Sequence, residues 1–286
     1  MGNLAKLPPA RFCRKDIAGR IVLLSVKTSR KSRKLNRKAS PIKLRQVLIS
    51  IVIPAYNEAK YLPRTLEAVH RACAVLDQAG WASEIVVCDN NSTDDTAALA
   101  RTNGARVVFE SFNQIAASRN AAGRAARGDW LVFVDADTQV TPMLFREMIR
   151  AMACDDCLGG GCRVTFDSGP WLARQTVIIW NTIGRVMRWA AGSFLFCRAS
   201  AFRELGGFSQ DWFAAEEVEY CIRLNRLGQY LAKRMIILKE PVISSGRKVR
   251  ALFTLKNLAH GLEAIVTFGE TLKQRDNCRY WYDSLR

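Results

Sequence analysis

The stretch "WLVFVDADTQV", residues 130 to 140, places two acidic residues directly after a strongly apolar run. Trp130 to Val134 have the length and composition of a buried strand. Asp135 and Asp137 are two positions apart, so both side chains would point to one side if the backbone stays extended. Two carboxylates so close together repel each other unless a cation lies between them. The stretch therefore predicts a buried strand that ends at a cation site.

Strands and helices are predicted to alternate from Val47 onward. Apolar runs at 47–53, 84–89, 105–110 and 130–134 have the length of strands. The first is followed by a helical pattern that runs to Gly80, with Asn57 as its predicted N-cap and with the apolar stripe Leu62, Leu66, Val69, Cys73 and Leu76. This alternation predicts an α/β fold, in which helices flank a largely parallel sheet.

Three further helices are predicted from capping signals. "STDD" (92–95) has the pattern of a capping box, and Gly104 would end the helix that it starts. Residues 114–127 form the next helical pattern, which Gly128 closes. Thr141 and Pro142 would start another, because proline is well tolerated at the first helical position.

Polar clusters follow three of the predicted strands. These are "PAYNE" (54–58), "DNNSTD" (89–94) and "DAD" (135–137). In sheets of this type, ligands bind beyond the carboxyl ends of the strands. Taken singly, Asn57 and Ser92 are better explained as helix caps, but together the three clusters predict one polar pocket.

The composition is that of a globular protein, but the charge is unevenly distributed. The chain has 286 residues, is 49% hydrophobic and carries a net charge of +17. Residues 1–46 hold fourteen Lys and Arg against one acid, which leaves only +4 for the rest. We interpret 1–46 as a mobile basic arm. It is a candidate for binding an anionic membrane surface, and charge alone fits a merely solvated extension as well; no specific nucleic-acid binding is expected.

No membrane span or zinc site is expected. The longest apolar region, 177–196, is interrupted by Arg185 and Arg188. Several of the nine cysteines lie in apolar segments, which is typical of buried thiols in a reducing compartment. Cys154 and Cys157 have CxxC spacing, but neither a second pair nor a nearby histidine accompanies them. These patterns predict a cytoplasmic protein, with peripheral membrane contact through the arm left open.

Four segments, in this order, resemble the inverting family 2 glycosyltransferases of the GT-A fold over about residues 47–238. They are "ISIVIPAYNEAKYLPRTLEAV" (49–69), "EIVVCDNNSTDDTAALA" (84–100), "SRNAAGRAARGDWLVFVDADT" (118–138) and "LFCRASAFRELGGFSQDWFAAEEVEYCIRL" (195–224). The resemblance implies a GT-A fold with a Rossmann-like, mostly parallel mixed sheet. It also implies a nucleotide-sugar site at Pro54, Ala55, Tyr56, Glu58, Asp89, Asn91, Arg119 and Asp135. Asp135 and Asp137 would hold Mg²⁺ or Mn²⁺, whose charge offsets that of the diphosphate leaving group.

The resemblance further implies that a carboxylate takes the proton from the acceptor hydroxyl, at the acidic pair Glu216 and Glu217. Helical spacing favours Glu217, which shares the apolar stripe of Tyr220 and Leu224. On that stripe, burial would raise the pKa of Glu217 toward the range of a working base. Glu216 is expected on the opposite, solvated side, with the salt-pairing residues Glu219, Arg223 and Arg226.

Three domains are expected: the arm (1–46), the catalytic domain (47–243), and a basic loop with an amphipathic helical tail (244–286). Arg247 and Lys248 in that loop are candidates for a lid that contacts the diphosphate. Arg119 fits a phosphate contact or an ordinary helix-surface arginine. The QxxRW signature of processive family members is missing, so single transfers are expected, to a lipid, glycan or small-molecule hydroxyl. A nucleotidyltransferase, or a non-catalytic protein acting through the arm, are the alternatives.

Overall fold

The computed structural model describes residues 14–15, 21–22, 46–168, 171–246 and 270–278. The chain divides into two units, Met1–Leu44 and Arg45–Arg286. In the first unit, β1 (Arg14–Lys15) pairs antiparallel with β2 (Ile21–Val22). Most of the predicted basic arm lies outside the described residues, so its mobility stays a prediction.

The second unit is built on one eight-stranded sheet. Its strands are β3 Leu48–Ala55, β4 Ala82–Asp89, β5 Arg106–Phe109, β6 Trp130–Val134, β7 Thr138–Gln139, β8 Cys157–Phe166, β9 Phe194–Arg198 and β10 Arg234–Ser244. Its α-helices are α1 Leu62–Gln78, α2 Thr96–Thr102, α3 Ile115–Ala125, α4 Pro142–Met152, α5 Trp171–Met187, α6 Ala199–Glu204 and α7 Glu216–Tyr230. Two 3₁₀ turns follow, at Glu270–Lys273 and Arg275–Cys278.

The sheet is mixed, with the strand order β5-β4-β3-β6-β9-β8-β10-β7. Strands β3 to β6 pair in parallel, as do β8 and β10. β9 runs antiparallel between β6 and β8, and β7 runs antiparallel at the edge beside β10. The prediction of an α/β fold with a mostly parallel mixed sheet is therefore confirmed, and the sequence pattern had not indicated the central antiparallel strand.

Apolar side chains from alternate strand positions fill the two faces of the sheet. On β3, Ile49, Ile51 and Ile53 pack in one cluster, while Val52 packs in the other. The predicted stripe of α1 is buried along its length, which confirms it. Each fully buried Leu or Val contributes about 1.5–3 kcal/mol relative to an exposed one. β6 is buried at every position, so the strand that carries Asp135 and Asp137 is rigidly held.

Two predicted helix caps are wrong. Asn57 lies in a loop with φ 51°, and the N-cap of α1 is Tyr61. The Ser92 hydroxyl accepts a hydrogen bond from Asn57 N, and α2 begins only at Thr96. Both side chains join two loops instead of capping helices, because each finds its partner about 35 residues away. The Thr141 cap is confirmed, since its hydroxyl accepts from Leu144 N at 3.0 Å.

Within the described part of the chain, no helix is long and apolar enough to cross a membrane. Eight cysteines are described, all as free thiols, and only Cys154 is exposed. The described residues also contain no cluster of three or more His, Cys, Asp and Glu side chains that would hold a metal ion by itself.

Candidate functional site

A cleft that is open to solvent lies at the carboxyl ends of the parallel strands β3, β4 and β6. It is lined by Pro54, Ala55, Tyr56, Glu58, Asn90, Ile115, Ser118, Asp135, Ala136 and Asp137. Six of these residues were predicted from the sequence, and they come from two segments about eighty positions apart. Asn90 adds a residue of the second predicted polar cluster, so the structure brings residues of all three clusters together in one pocket.

The acidic residues after β6 stand in a turn. Thr138 N donates to Asp135 O at 3.1 Å, so the backbone does not stay extended as the sequence interpretation assumed. Asp135 N donates to Ser193 O, and the Thr65 hydroxyl of α1 donates to Ala136 O at 2.8 Å. Asp137 is buried and Asp135 is half-buried, and both line the cleft. The turn is thus anchored by the residue that precedes β9 and by helix α1.

Asp135 and Asp137 have the chemistry of a divalent-cation site. Carboxylate oxygens are the ligands that Mg²⁺ and Mn²⁺ prefer, and both residues border a cleft with room for a ligand. Two protein carboxylates leave coordination positions for phosphate and water oxygens, which is how Mg²⁺ is often bound beside nucleotides. The donor set therefore fits a cation that binds together with a diphosphate.

The loop after β3 is held against the loop after β4. Asn57 Oδ1 accepts from Thr93 N at 2.8 Å, and Glu58 N donates to the Thr96 hydroxyl at 2.8 Å. Ala59 N donates to Asp94 at 3.1 Å. Because of these bonds, the backbone that carries Tyr56 and Glu58 is positioned at the cleft.

At the end of β4, the residue that lines the cleft is not one of the two that were predicted to bind the nucleotide. Asp89 is buried and accepts from Ser92 N at 3.1 Å, and it does not line the cleft. Asn91 faces Asn113 in an exposed loop, also away from the cleft. Asn90 lines the cleft instead, and its side-chain amide donates to the carbonyls of Glu110 and Phe112. The predicted roles of Asp89 and Asn91 in nucleotide binding stay predictions.

Arg119 connects the cleft to the acidic pair of α7. It is 3% exposed, and its guanidinium forms ion pairs with Asp135 at 3.0 Å and with Glu216 at 2.5 Å. It also donates to Gly192 O at 3.1 Å. Burial alone would lower its pKa, but the surrounding carboxylates raise the pKa of Arg119 above its ordinary value. The alternative of a helix-surface arginine is therefore wrong.

Glu217 lies beside this arginine. Burial, followed by the neighbouring carboxylate of Glu216, raises the pKa of Glu217 to about 7, against the opposing charge of Arg119. The pKa shift expected from the sequence is thus confirmed. A Cβ at Gly192 would lie 2.7 Å from Arg119 Nη2 and 3.3 Å from Glu217 Cδ. Glycine at this position lets both side chains approach the loop.

The helical phase of α7 corrects the position of Glu216. Tyr220, Leu224 and Gly228 are buried, and Glu216 lies one turn before Tyr220 on the same buried stripe. The expectation that Glu216 faces solvent is wrong, because α7 begins at this residue and its side chain turns inward to Arg119. Glu219 pairs with Arg223 through two hydrogen bonds of 2.6 and 2.7 Å, as expected.

Some site residues were not found from the sequence. Asn90, Ile115 and Ser118 line the cleft, and Gly192 and Ser193 supply carbonyls to Arg119 and Asp135. Ile115 and Ser118 are three apart on α3, a helical spacing that could have indicated a common face. Nothing in the local sequence around Gly192 indicates that this residue lies beside Arg119 and Glu217. Arg247 and Lys248 lie outside the described residues, as does most of the predicted C-terminal helix.

The sequence matches known proteins in the region that forms this site. The model of glycosyl transferase family 2 matches residues 50–206, more than half of the chain. An undecaprenyl-phosphate 4-deoxy-4-formamido-L-arabinose transferase of Sodalis glossinidius (strain morsitans) is 32% identical over 171 residues, covering 57% of this chain and 51% of that protein. A validoxylamine A glucosyltransferase of Streptomyces hygroscopicus subsp. jinggangensis (strain 5008) is 32% identical over 112 residues, covering 37% and 26%. The chain therefore spans about half, or less, of these relatives.

Solved structures agree with the fold. S. aureus TarS 1-349 in complex with UDP superimposes with a TM-score of 0.55 at 17% identity, covering 78% of this chain and 73% of that one. The longer TarS structure gives a TM-score of 0.54, also at 17% identity, covering 80% and 44%. At this level of identity the similarity concerns the fold alone, and it confirms the GT-A architecture.

Proposed function

The chain belongs to glycosyl transferase family 2, and from this premise we propose that it transfers a sugar from a UDP- or GDP-linked donor to an acceptor hydroxyl. The proposed reaction inverts the anomeric centre, depends on Mg²⁺ or Mn²⁺, and releases its product after each transfer. The observation that carries this proposal is Arg119, which joins the carboxylates at the cleft to the acidic pair of α7.

In the proposed reaction, the nucleotide diphosphate occupies the cleft beside Tyr56 and Glu58. Asp135 and Asp137 would hold the divalent cation, which supplies positive charge to the leaving diphosphate. Arg119 keeps Asp135 in place by an ion pair and leaves a second guanidinium nitrogen for Glu216. The buried guanidinium of Arg119 thereby offsets part of the negative charge of Asp135 on the donor side and of Glu216 on the acceptor side.

Glu217 is proposed as the general base. A carboxylate with a pKa of about 7 is about half ionised at pH 7 and is far more basic than an exposed glutamate, so its ionised form accepts a proton from the acceptor hydroxyl more readily. Direct displacement requires such a base opposite the leaving group. Glu216 is proposed as the residue that holds Arg119 and raises the pKa of Glu217.

The acceptor class is also a proposal. Relatives from Sodalis and Pseudomonas aeruginosa are named as undecaprenyl-phosphate transferases, which favours a lipid for this chain over a free glycan or small molecule. The free thiols support a cytoplasmic location, where cysteines stay reduced. The basic arm is proposed to hold the protein at an anionic membrane surface.

A panel of sugar nucleotides tests the donor proposal. We expect one UDP- or GDP-sugar to raise the melting temperature when Mg²⁺ or Mn²⁺ is present and to do so much less with EDTA. NMR of the product then reports whether the anomeric configuration is inverted. If a nucleoside triphosphate stabilises the chain and releases pyrophosphate while no sugar nucleotide is turned over, the nucleotidyltransferase alternative is correct instead.

A further inference from the structure

Helix α5 (Trp171–Met187) is apolar on two opposite faces. A helix on the surface of a domain normally needs one apolar stripe, which packs on the core. The second apolar face of α5 therefore requires its own explanation.

The inner face of α5 accounts for its packing on the sheet. Val177 and Trp180 pack against the core, and Gly184 is buried. Asn181 both donates to Val164 O and accepts from Val164 N, each at 3.0 Å, which ties the helix to β8. These positions follow the i, i+3, i+4, i+7 spacing of one helical face. The inner face alone therefore accounts for the packing of α5 on the sheet.

The outer face of α5 exposes large apolar side chains to solvent. The exposed fractions are 58% for Ile178, 58% for Ile179, 42% for Ile183, 73% for Val186 and 50% for Met187. Ile179, Ile183 and Val186 follow the i, i+4, i+7 spacing opposite the inner stripe and extend over roughly 10 Å. Contiguous exposed apolar side chains of this kind indicate an interaction surface.

The charges of α5 and of the residues that flank it in the chain are all positive. Arg185 and Arg188 are exposed at the end of α5, and the chain has no acidic residue between Asp167 and Glu204. A helix that combines exposed Ile and Val with basic residues has the composition of an interfacial helix, which lies in the plane of a membrane surface. The positive charges complement anionic head groups.

Two other occupants fit these charges poorly. A second copy docked through the same face would place another positively charged surface against this one, and residues 168–203 contain no acid that could pair with Arg185 or Arg188. The C-terminal residues 247–269 contain four Lys and Arg and one acid, so their charge also repels this surface. An anionic lipid surface is the occupant that satisfies both the apolar face and the arginines.

We propose that the outer face of α5 docks on an anionic lipid membrane, with Ile179, Ile183 and Val186 at the acyl-chain boundary and Arg185 and Arg188 among the head groups. The segment after α5 reaches the site within a few residues, because Gly192 O and Ser193 O accept from Arg119 and Asp135. Docking through α5 would thus hold the acceptor side of the site at the membrane. That last consequence rests on the proposed function, whereas the lipid contact does not.

The test uses the full chain and vesicles of phosphatidylcholine with phosphatidylglycerol. At about 1 M salt the Debye length falls to about 3 Å, which suppresses attraction through the basic arm. The wild type should still co-sediment with vesicles, and Ile179→Gln/Val186→Gln should reduce partitioning by on the order of tenfold or more. Tyr230→Gln, which changes an 84% exposed side chain on α7, is the matched control and should partition like the wild type.

A second measurement tests the charges. At low salt, Arg185→Gln should reduce the preference for anionic over purely zwitterionic vesicles, while leaving zwitterionic binding unchanged. Both variants should keep the wild-type melting temperature, because the altered side chains are exposed.

Several results would overturn the proposal. One is equal partitioning of the wild type and Ile179→Gln/Val186→Gln at high salt. Another is a complete loss of wild-type binding at high salt. A third is a shift of the double variant from dimer to monomer by analytical ultracentrifugation without vesicles, which would assign the face to a second copy. Vesicle binding is measured without a sugar donor. A chain that fails to transfer sugar can therefore still confirm the lipid contact, and a chain that fails to bind vesicles can still transfer sugar to a soluble acceptor.

Discussion

The acidic pair after β6 and the acidic pair at the start of α7 share an arginine partner, but their surroundings differ. Arg119 forms an ion pair with one member of each, Asp135 and Glu216. The first pair lies at the mouth of a cleft, after a strand that its own apolar sequence predicts. The second lies in the first turn of α7, where Glu216 is buried, Glu217 is half-buried, and the pKa of Glu217 is raised to about 7. The surroundings of the two pairs therefore suit them to different chemistry: the first pair to binding a cation, and the second to taking up a proton.

The comparison explains why one guanidinium serves both pairs. An isolated buried arginine is costly, and so is a cluster of three carboxylates of which Glu216 is buried and Asp135 and Glu217 are half-buried, but together they offset much of each other's charge. Asp135 and Glu216 pair with the arginine directly, and Glu217 is left as the carboxylate that titrates near neutral pH.

The largest effect is expected at Glu217. Glu217→Gln keeps the shape of the side chain but cannot take up the acceptor proton, so turnover should fall by on the order of 10²–10⁴. Donor affinity, measured by calorimetry, should stay within about twofold. Glu219→Gln is the control, because Glu219 pairs with Arg223 on the same helix and should be dispensable for transfer. If Glu216→Gln abolishes transfer and Glu217→Gln does not, the base is Glu216.

The same substitution reports the pKa of Glu217 through stability. The folded pKa of about 7 lies above the ordinary 4.5, so the folded protein binds this proton more tightly than the unfolded chain does. The wild type should lose stability relative to Glu217→Gln as pH rises from about 4.5 to 7. Urea unfolding should find the variant more stable at pH 8, by on the order of 1–3 kcal/mol, and the difference should vanish near pH 4. An equal difference at both pH values would contradict the buried, titrating glutamate.

On the cleft side, Asp137→Asn should weaken metal-dependent binding of a nucleoside diphosphate by on the order of 10²-fold, because an amide is a poor ligand for a hard cation. Calorimetry with and without Mn²⁺ measures this difference. Asp77→Asn, at an exposed position of α1, should bind like the wild type. Unchanged metal-dependent affinity in Asp137→Asn would remove this residue from the proposed cation site.

Glu216→Gln separates positioning from proton transfer. It removes one ion pair from buried Arg119 and should destabilise the fold by about 3 kcal/mol, whereas Glu219→Gln should cost under about 1 kcal/mol. Because the charge of Glu216 raises the pKa of Glu217, the acid limb of the pH–rate profile should move to lower pH. If Glu216→Gln changes neither the pH–rate profile nor the free energy of unfolding, the ion pair between Glu216 and Arg119 contributes little to catalysis or to stability.

The smallest effect on catalysis is expected outside both pairs. Removing residues 1–40 deletes most of the basic arm and should leave turnover of a soluble acceptor within about twofold of the full chain. Vesicle association at low salt should fall, and the loss should shrink as salt screens the charge. A collapse of turnover with a soluble acceptor would place the arm in the catalytic site.

Much of the fold followed from local patterns. The strand Trp130–Val134 and the buried stripe of α1 were predicted residue by residue, because apolar periodicity is written in neighbouring positions. Pro54, Tyr56 and Asp137 were placed at one cleft by the rule for strand ends. The caps Asn57 and Ser92 failed for the opposite reason, since a polar side chain near a helix start can bond equally well to a distant loop.

The amino-acid sequence by itself determined where strands β3 to β6 and the helices that follow them lie, which polar residues stand at the ends of these strands, and that α7 starts with two acids. Only the tertiary structure decided that Glu216 is buried, because its partner Arg119 is 97 residues away in the chain. The pKa of Glu217 depends on the same packing. Hydrophobic periodicity acts between neighbouring residues, whereas desolvation and charge interactions depend on which distant groups the folded chain brings together.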